Sequence, residues 1–338
     1  MARVDAFWQT RNALSYLLLP LSWLFHGLAL LRRALYRHGI LKIHRLPAPV
    51  IVVGNIGVGG SGKTPLVIWL VRHLRTLGWK PGIVARGYGG RAKYWPQQVR
   101  PDSDSHMVGD EPVMIARLCG CPMSVGPNRV AAAKALLAHH DCDIIVSDDG
   151  LQHYALGRDL EIAVIDGRRR HGNGFLLPAG PLREPPSRLE EVDLIVAKGR
   201  AAHGEHLMNY SLGDAIPLKD MASRRPLRDF RVLTVHALAG IGNPDGFFDM
   251  LTERQLQIIR HPFPDHHPFK SADIEFRDGK PVLMTQKDAV KCEPFAGPRH
   301  WFVPVEAALK ESFVQRLNRL LAQLETQFKP SKPRKPHG

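Results

Sequence analysis

Residues 50–54 (VIVVG) form an uninterrupted apolar run of strand length. From Lys63 to Leu77, leucines at 66, 70, 74 and 77 recur on one helical face. A glycine-rich segment joins the two. Further apolar runs at 82–85 (GIVA), 143–147 (DIIVS), 161–165 (EIAVI) and 193–197 (DLIVA) alternate with helical patterns at 110–118 and 128–140. Strand and helix periods alternating in this way predict an α/β fold, a doubly wound, mostly parallel sheet with helices on both faces. After a polar stretch from Met221 to Asp229 a second set begins. It comprises a strand at 231–236, a helix at 244–253, strands at 256–260 and 281–285, and a final helix at about 306–327. The pattern predicts a boundary near residue 225, with a main domain over 46–225 and a second, smaller α/β domain over 226–327. The tail 328–338 (FKPSKPRKPHG) is proline-rich and basic and reads as disordered. No internal repeat is visible.

The segment between the first strand and helix carries the clearest chemistry. Gly57, Val58, Gly59, Gly60, Ser61, Gly62, Lys63 and Thr64 match G-x-x-x-x-G-K-[ST] in the context that motif requires, after a buried strand and opening a helix. Such a P-loop turns successive backbone N–H groups toward phosphates, and the helix N-terminus adds partial positive charge. Lys63 would reach the β- and γ-phosphates of ATP, and the Thr64 hydroxyl would coordinate Mg2+. A magnesium site needs a carboxylate at the end of a neighbouring strand, which DIIVSDDG supplies as Asp148 and Asp149. The sequence does not say which of the two faces the metal. Position 58 is valine where some dimeric ATPases carry a lysine, and TQKD (285–288) is not the N-K-x-D of guanine recognition. A small-molecule kinase and a hydrolytic ATPase of another type both remain open.

The stretch Ala13 to Leu31 is 19 residues without a formal charge. A cleaved signal peptide is disfavoured, since no small-residue cleavage site follows and a P-loop needs cytosolic nucleotide. Pro20, Ser15, Ser22 and His26 interrupt a spanning helix. On a helical wheel Arg11, Ser15, Ser22, His26 and Arg33 fall within ~60° of one another, which favours a helix lying in the membrane interface. Arg32, Arg33, Arg37, Lys42 and Arg45 follow, each worth about 1 kcal/mol against an anionic leaflet. Residues 1–45 thus read as a membrane-associated helix with a basic flank, and a buried core helix is the alternative.

Composition changes this picture in two ways. The formal charge of +14 points to an anionic partner. Its positive residues gather near the apolar segment and the tail without a nucleic-acid recognition motif, so nucleic acid is not expected. The four cysteines (Cys119, Cys121, Cys142, Cys292) lack a metal-binding spacing and read as free thiols in a reducing compartment.

The remaining motifs resemble one family, the tetraacyldisaccharide 4′-kinases of lipid A biosynthesis. The resemblance covers roughly residues 10–305. It rests on VVGNIGVGGSGKTP (52–65), ARGYGG (85–90), GDEP (109–112), SDDGLQHY (147–154), GNGFLLPAGPLREP (172–185), GIGNP (240–244), FPDHHPF (263–269) and MTQKDAVKC (284–292). It implies transfer of the ATP γ-phosphate to the 4′-hydroxyl of a lipid A disaccharide 1-phosphate, at the cytoplasmic face of a Gram-negative inner membrane. It also implies two α/β domains closing around the nucleotide, with Asp110 as base assisted by His266. Glu111, Gln152 and His153 match positions near the metal and phosphates. From the residues alone, Asp110 and Glu111 could simply charge the first turn of a helix, and His266 could be a solvated loop residue. Arg86, Tyr88, Arg129 and Arg183 lie in loops suited to contacts with phosphate or substrate. The alternative function is a membrane-associated ATPase or GTPase switch that hydrolyses nucleotide without a phosphorylated product.

Overall fold

The computed structural model describes residues 7–59, 62–220, 222–265 and 267–328. Its centre is β1 (Val50–Gly54), whose side chains are buried on both faces. Ile51 and Val53 join one hydrophobic core, while Val50 and Val52 join the other. Each fully buried aliphatic side chain of this kind contributes about 1.5–3 kcal/mol of burial energy. The strands that follow are β2 (Pro81–Ala85), β3 (Gln97–Val99), β4 (Met123–Val125), β5 (Ile144–Asp148), β6 (Leu160–Asp166), β7 (Leu194–Lys198) and β8 (His206–Leu212). With β14 (Val305–Leu309) they form a nine-stranded sheet in the order β14-β8-β7-β6-β1-β5-β2-β4-β3. All neighbours are parallel except the two edge pairs, β3 with β4 and β14 with β8.

Helices Lys63–Thr76, Asp110–Cys119 and Glu311–Phe328 cover one face, and Arg129–His139 covers the other. Leu66, Leu70 and Leu74 are buried as their spacing requires, whereas Leu77 caps the helix and is exposed.

The second sheet has five strands in the order β11-β10-β12-β13-β9. These are β9 (Ile216–Pro217), β10 (Thr234–Ala239), β11 (Gln257–Pro262), β12 (Val282–Thr285) and β13 (His300–Val303). Helices Pro244–Glu253 and Gln286–Cys292 complete this layer. The strand expected at 231–236 starts three residues later, because Leu227–Phe230 forms a 3-10 turn and Val232 is left exposed. The final helix expected from about 306 is instead a strand followed by a helix. Val305–Leu309 pairs with β8, and Phe313, Leu317 and Leu321 of the last helix pack into the core of the nine-stranded sheet. The two sheets meet where helix Gln286–Cys292 lies against Asp110–Cys119, tied by Arg117 to Glu293 at 2.6 Å and Lys291 to Asp110 at 3.7 Å.

Near the N-terminus, helices Ala13–Leu17 and Leu19–Arg37 dock on the segment after β6. The Ser22 hydroxyl donates to Leu176 O (2.9 Å), the Arg11 guanidinium donates to Asn173 O (3.2 Å), and Arg33 pairs with Glu191. The polar stripe therefore faces the protein, and the apolar face is turned outward. Leu17, Trp23 and Leu24 are 74%, 67% and 61% exposed, and Leu14, Tyr16, Leu21, Leu28 and Leu31 are exposed beside them. A buried core helix is not what this segment forms. Among the described residues no helix is long and apolar enough to cross a membrane.

Candidate active site

The loop after β1 is held from one side by the segment that also carries the N-terminal helices. Val58 N donates to Pro181 O (2.8 Å), and Arg183 N donates to Ile56 O (2.7 Å). Gly62, the N-cap of helix Lys63–Thr76, has φ +94°, and a Cβ there would overlap the Tyr210 hydroxyl of β8. Only glycine fits both the backbone and the contact. The first-turn N–H groups of the helix are thus left facing the carboxyl edge of the sheet. Gly60, Ser61 and His266 lie outside the described residues.

On that edge β5 ends beside β1, with Asp148 in register with Val53. Asp149 follows with φ +49° and its carboxylate is claimed by cations. Lys63 Nζ lies 3.4 Å from Oδ1, Arg183 Nη1 donates to Oδ2 at 3.1 Å, and Arg129 Nη2 donates to the Asp149 carbonyl at 3.2 Å. Burial pushes the Asp149 pKa up, but Lys63 and Arg183 outweigh it and hold it below the ordinary value. Asp148 is in the opposite state. It is buried, its Oδ1 has no hydrogen-bond partner, and burial with the nearby Glu111 and Asp149 charges pushes its pKa up to about 7.

Thr64 Oγ1 donates to Glu111 Oε1, which brings the first turns of helices Lys63–Thr76 and Asp110–Cys119 together. Asp110 is the first residue of its helix, after Gly109, and the Tyr88 carbonyl packs directly on that glycine. Arg86 and Tyr88, both exposed, follow β2 on the same edge. Arg129 is buried, and burial lowers its pKa while Asp149 acts in the opposite direction.

Gln152 donates to Asn55 O (3.0 Å) and to Glu184 Oε2 (2.7 Å), and it accepts from Arg183 at 3.4 Å. His153 is kept neutral at ordinary pH, its pKa lowered to about 4 by burial and then by Arg129 and Arg158. Glu184, Tyr210 and Lys291 were not singled out from sequence. They reach the site from elements remote from the glycine loop, and only the proximity of Glu184 to Arg183 in LREP hinted at one of them. A small cleft of about 60 Å³, open to solvent, lies between the N-terminal segment and the loop, with Trp8, Asn55, Val58, Arg169 and His171 on its walls.

The unpartnered Asp148 oxygen suits a cation. Among the described residues no three His, Cys, Asp or Glu side chains could hold a metal by themselves. A single buried carboxylate oxygen of this kind would fit Mg2+, which takes one or two carboxylates and completes its shell with water and phosphate oxygens.

The raised Asp148 pKa also has a stability consequence. Between the unfolded value of 3.8 and about 7 the folded state holds a proton that the unfolded state has lost, so this group's contribution to stability falls as pH rises through that window. Asp148→Asn removes the effect. Thermal melts of the ligand-free variant should match the parent near pH 4 and exceed it by a few degrees above about pH 7. Equal melting temperatures at high pH would contradict the assignment.

Residues 14–322 match the family described as Tetraacyldisaccharide-1-P 4′-kinase. The chain is 54% identical over 317 residues to the tetraacyldisaccharide 4′-kinase of Nitrosococcus oceani, covering 94% of each. It is 50% identical over 308 residues to that of Pasteurella multocida, covering 90% of this chain and 94% of the relative. Its fold is similar to that of LpxK from Aquifex aeolicus, solved in complex with ATP. The TM-score is 0.79 at 27% identity, over 92% of this chain and 99% of that one.

Proposed function

Because the chain belongs to the tetraacyldisaccharide-1-phosphate 4′-kinase family, we propose that the edge carrying Lys63, Asp148 and Asp110 transfers the γ-phosphate of ATP to the 4′-hydroxyl of a tetraacyldisaccharide 1-phosphate in lipid A biosynthesis. The observation that carries this reading is the convergence of the glycine loop, a cation-poised carboxylate and a second carboxylate at a helix start on one sheet edge.

In this reading residues 57–64 are a P-loop whose backbone and Lys63 cradle the β- and γ-phosphates. Arg183 and Lys63, gathered by Asp149, supply positive charge, with Arg129 and Arg86 behind them. Thr64 and Asp148 would hold Mg2+, with Glu111 and Asp149 within reach of its water shell. When bound, that ion neutralises charge on the phosphate oxygens. Asp110 takes the proton of the 4′-hydroxyl as the new P–O bond forms, and His266 assists it by the family resemblance. Tyr88, Gln152 and His153 shape the surroundings of the phosphates and the sugar.

The outward apolar face of helix Leu19–Arg37, flanked by exposed Arg32, Arg37, Lys42 and Arg45, lies in the anionic cytoplasmic leaflet of a Gram-negative inner membrane and delivers the lipid acceptor to the cleft. Changing Leu17, Leu24 and Leu28 together to Gln should weaken sedimentation with phosphatidylglycerol vesicles by at least ~10-fold without lowering the melting temperature, since all three are exposed. Unchanged vesicle binding would remove this face from the membrane contact.

A hydrolytic switch would use the same loop and release only free phosphate. Incubation with γ-labelled ATP and the tetraacyldisaccharide acceptor in detergent micelles separates the two. Label should appear in the lipid at the 4′ position, and label found only as inorganic phosphate would favour the switch.

A further inference from the structure

Glu184 belongs to none of the roles above, yet it is only 6% exposed at the back of the phosphate cluster. Its Oε2 accepts from Gln152 Nε2 at 2.7 Å, and its Oε1 accepts from the Tyr154 hydroxyl. The second proton of Gln152 Nε2 goes to Asn55 O at 3.0 Å. Both amide protons face acceptors, so the amide has a single favourable orientation. Turned over, its oxygen would face a carboxylate and a carbonyl, and its NH2 would face a guanidinium. In the orientation present, Gln152 Oε1 points at Arg183 Nη1 (3.4 Å), and the same nitrogen reaches Asp149 at 3.1 and 3.3 Å. The backbone adds to this, since Arg183 N and Glu184 N both donate to Ile56 O, at 2.7 and 3.2 Å.

We infer that Glu184 is a positioning residue that acts through Gln152 to aim Arg183 at the transferring phosphoryl group. The inference rests on the reading of Arg183 as a phosphate contact. The effect of Glu184 passes through Gln152 to the guanidinium. Tyr154 braces the other carboxylate oxygen, and its ring lies 6.0 Å from Tyr36 on the inward side of helix Leu19–Arg37, so the support continues to that helix.

The test is steady-state and single-turnover kinetics of the full chain with MgATP and the acceptor, for Glu184→Ala, Glu184→Gln, Glu184→Met, Arg183→Ala and the double variant Glu184→Ala with Arg183→Ala. Misplacing one charged contact costs on the order of 10-fold to 10²-fold in rate. Glu184→Ala should therefore lower kcat by about 10-fold or more, with KM for ATP changed by less than ~3-fold. Glu184→Gln retains an acceptor for Gln152 and should stay within ~3-fold of the parent, whereas Glu184→Met fills the same space without that acceptor and should lose as much as Glu184→Ala, a loss that a merely space-filling role would not give. With Arg183 absent there is nothing left to aim, so the double variant should match Arg183→Ala within ~3-fold. Fully multiplicative losses, or a normal kcat for Glu184→Ala beside an impaired Arg183→Ala, would overturn the inference alone. A normal rate for Arg183→Ala would remove the phosphate contact beneath it, and the inference with it. Should Glu184→Ala fail to fold, Gln152→Leu cuts the same connection one link later and carries the same expectations.

Discussion

Replacing Asp110 by alanine is expected to lower kcat by roughly 10² to 10⁴ while leaving ATP affinity nearly unchanged, the signature of a lost general base. A sugar hydroxyl is a weak nucleophile until its proton leaves. In a loose phosphoryl-transfer transition state that departure is late, so the placement of the carboxylate counts for more than its basicity. Placement is what the fold supplies. Asp110 opens its helix, its neighbour Glu111 is hydrogen-bonded to Thr64 of the glycine loop, and Lys291 from the second sheet stands 3.7 Å from its carboxylate. The alanine variant also takes one carboxylate from Lys291, whose side chain is 11% exposed and keeps Asp288 at 4.0 Å and the His267 carbonyl at 3.4 Å, so a small loss of stability accompanies the kinetic defect. Asp110→Asn keeps the shape and the hydrogen-bond acceptor but not the base, and it should lose a comparable factor in kcat with less change in melting temperature. His266→Ala should lose less than Asp110→Ala, and the pair should lose less than the product if they act as a unit. Transfer at the parent rate by Asp110→Ala, or weakening confined to metal binding, would return this residue to a role as helix charge or metal ligand.

Removing the Lys63 ammonium is the second large effect, expected at 10² or more in kcat/KM. In the ligand-free protein Lys63 is nearly buried, at 15% side-chain exposure, and is held 3.4 Å from Asp149. Lys63→Ala leaves Asp149 with Arg183 at 3.1 Å, so its carboxylate remains paired and the fold should survive. The phosphates, in contrast, lose a charge that no neighbour can replace at the same point. Thr64→Ala should cost a similar factor and should respond to added Mg2+, whereas Lys63→Ala should not. Near-normal turnover in both variants would remove the P-loop assignment.

Much of the main sheet was legible because its strands are buried on both faces and so appear as unbroken apolar runs. The strand Val50–Gly54 and the helix Pro244–Glu253 stand at the limits their residues predict. Elements whose identity depends on a distant partner were not legible. Val305–Leu309 (VEAAL) has the composition of a helix start, and β8 beside it makes it a strand. In β8 itself, HLMNYSL, Met208 and Leu212 are buried while Asn209 is exposed, and so short an alternation carries little weight alone.

The N-terminal helix repeats the lesson at the level of orientation. The spacing of Ser15, Ser22 and Arg33 defines a polar stripe. Which way the stripe faces was decided by the carbonyl of Leu176, the Asn173 side chain and Glu191, all more than a hundred residues away. In the site, Lys63, Thr64, Asp148 and Asp149 could be recognised because each pair is contiguous and follows a strand. The spare oxygen on Asp148 and the paired carboxylate of Asp149 are consequences of burial and of Arg183, which no local string encodes.

The most direct test of phosphoryl transfer is a rapid-quench single turnover with enzyme in excess over γ-labelled ATP and saturating tetraacyldisaccharide acceptor in micelles. ATP loss and lipid phosphate gain should proceed at one common rate, with nearly all the label in the lipid and almost none as free phosphate. Loss of ATP matched instead by inorganic phosphate, with the acceptor unmodified, would contradict the account.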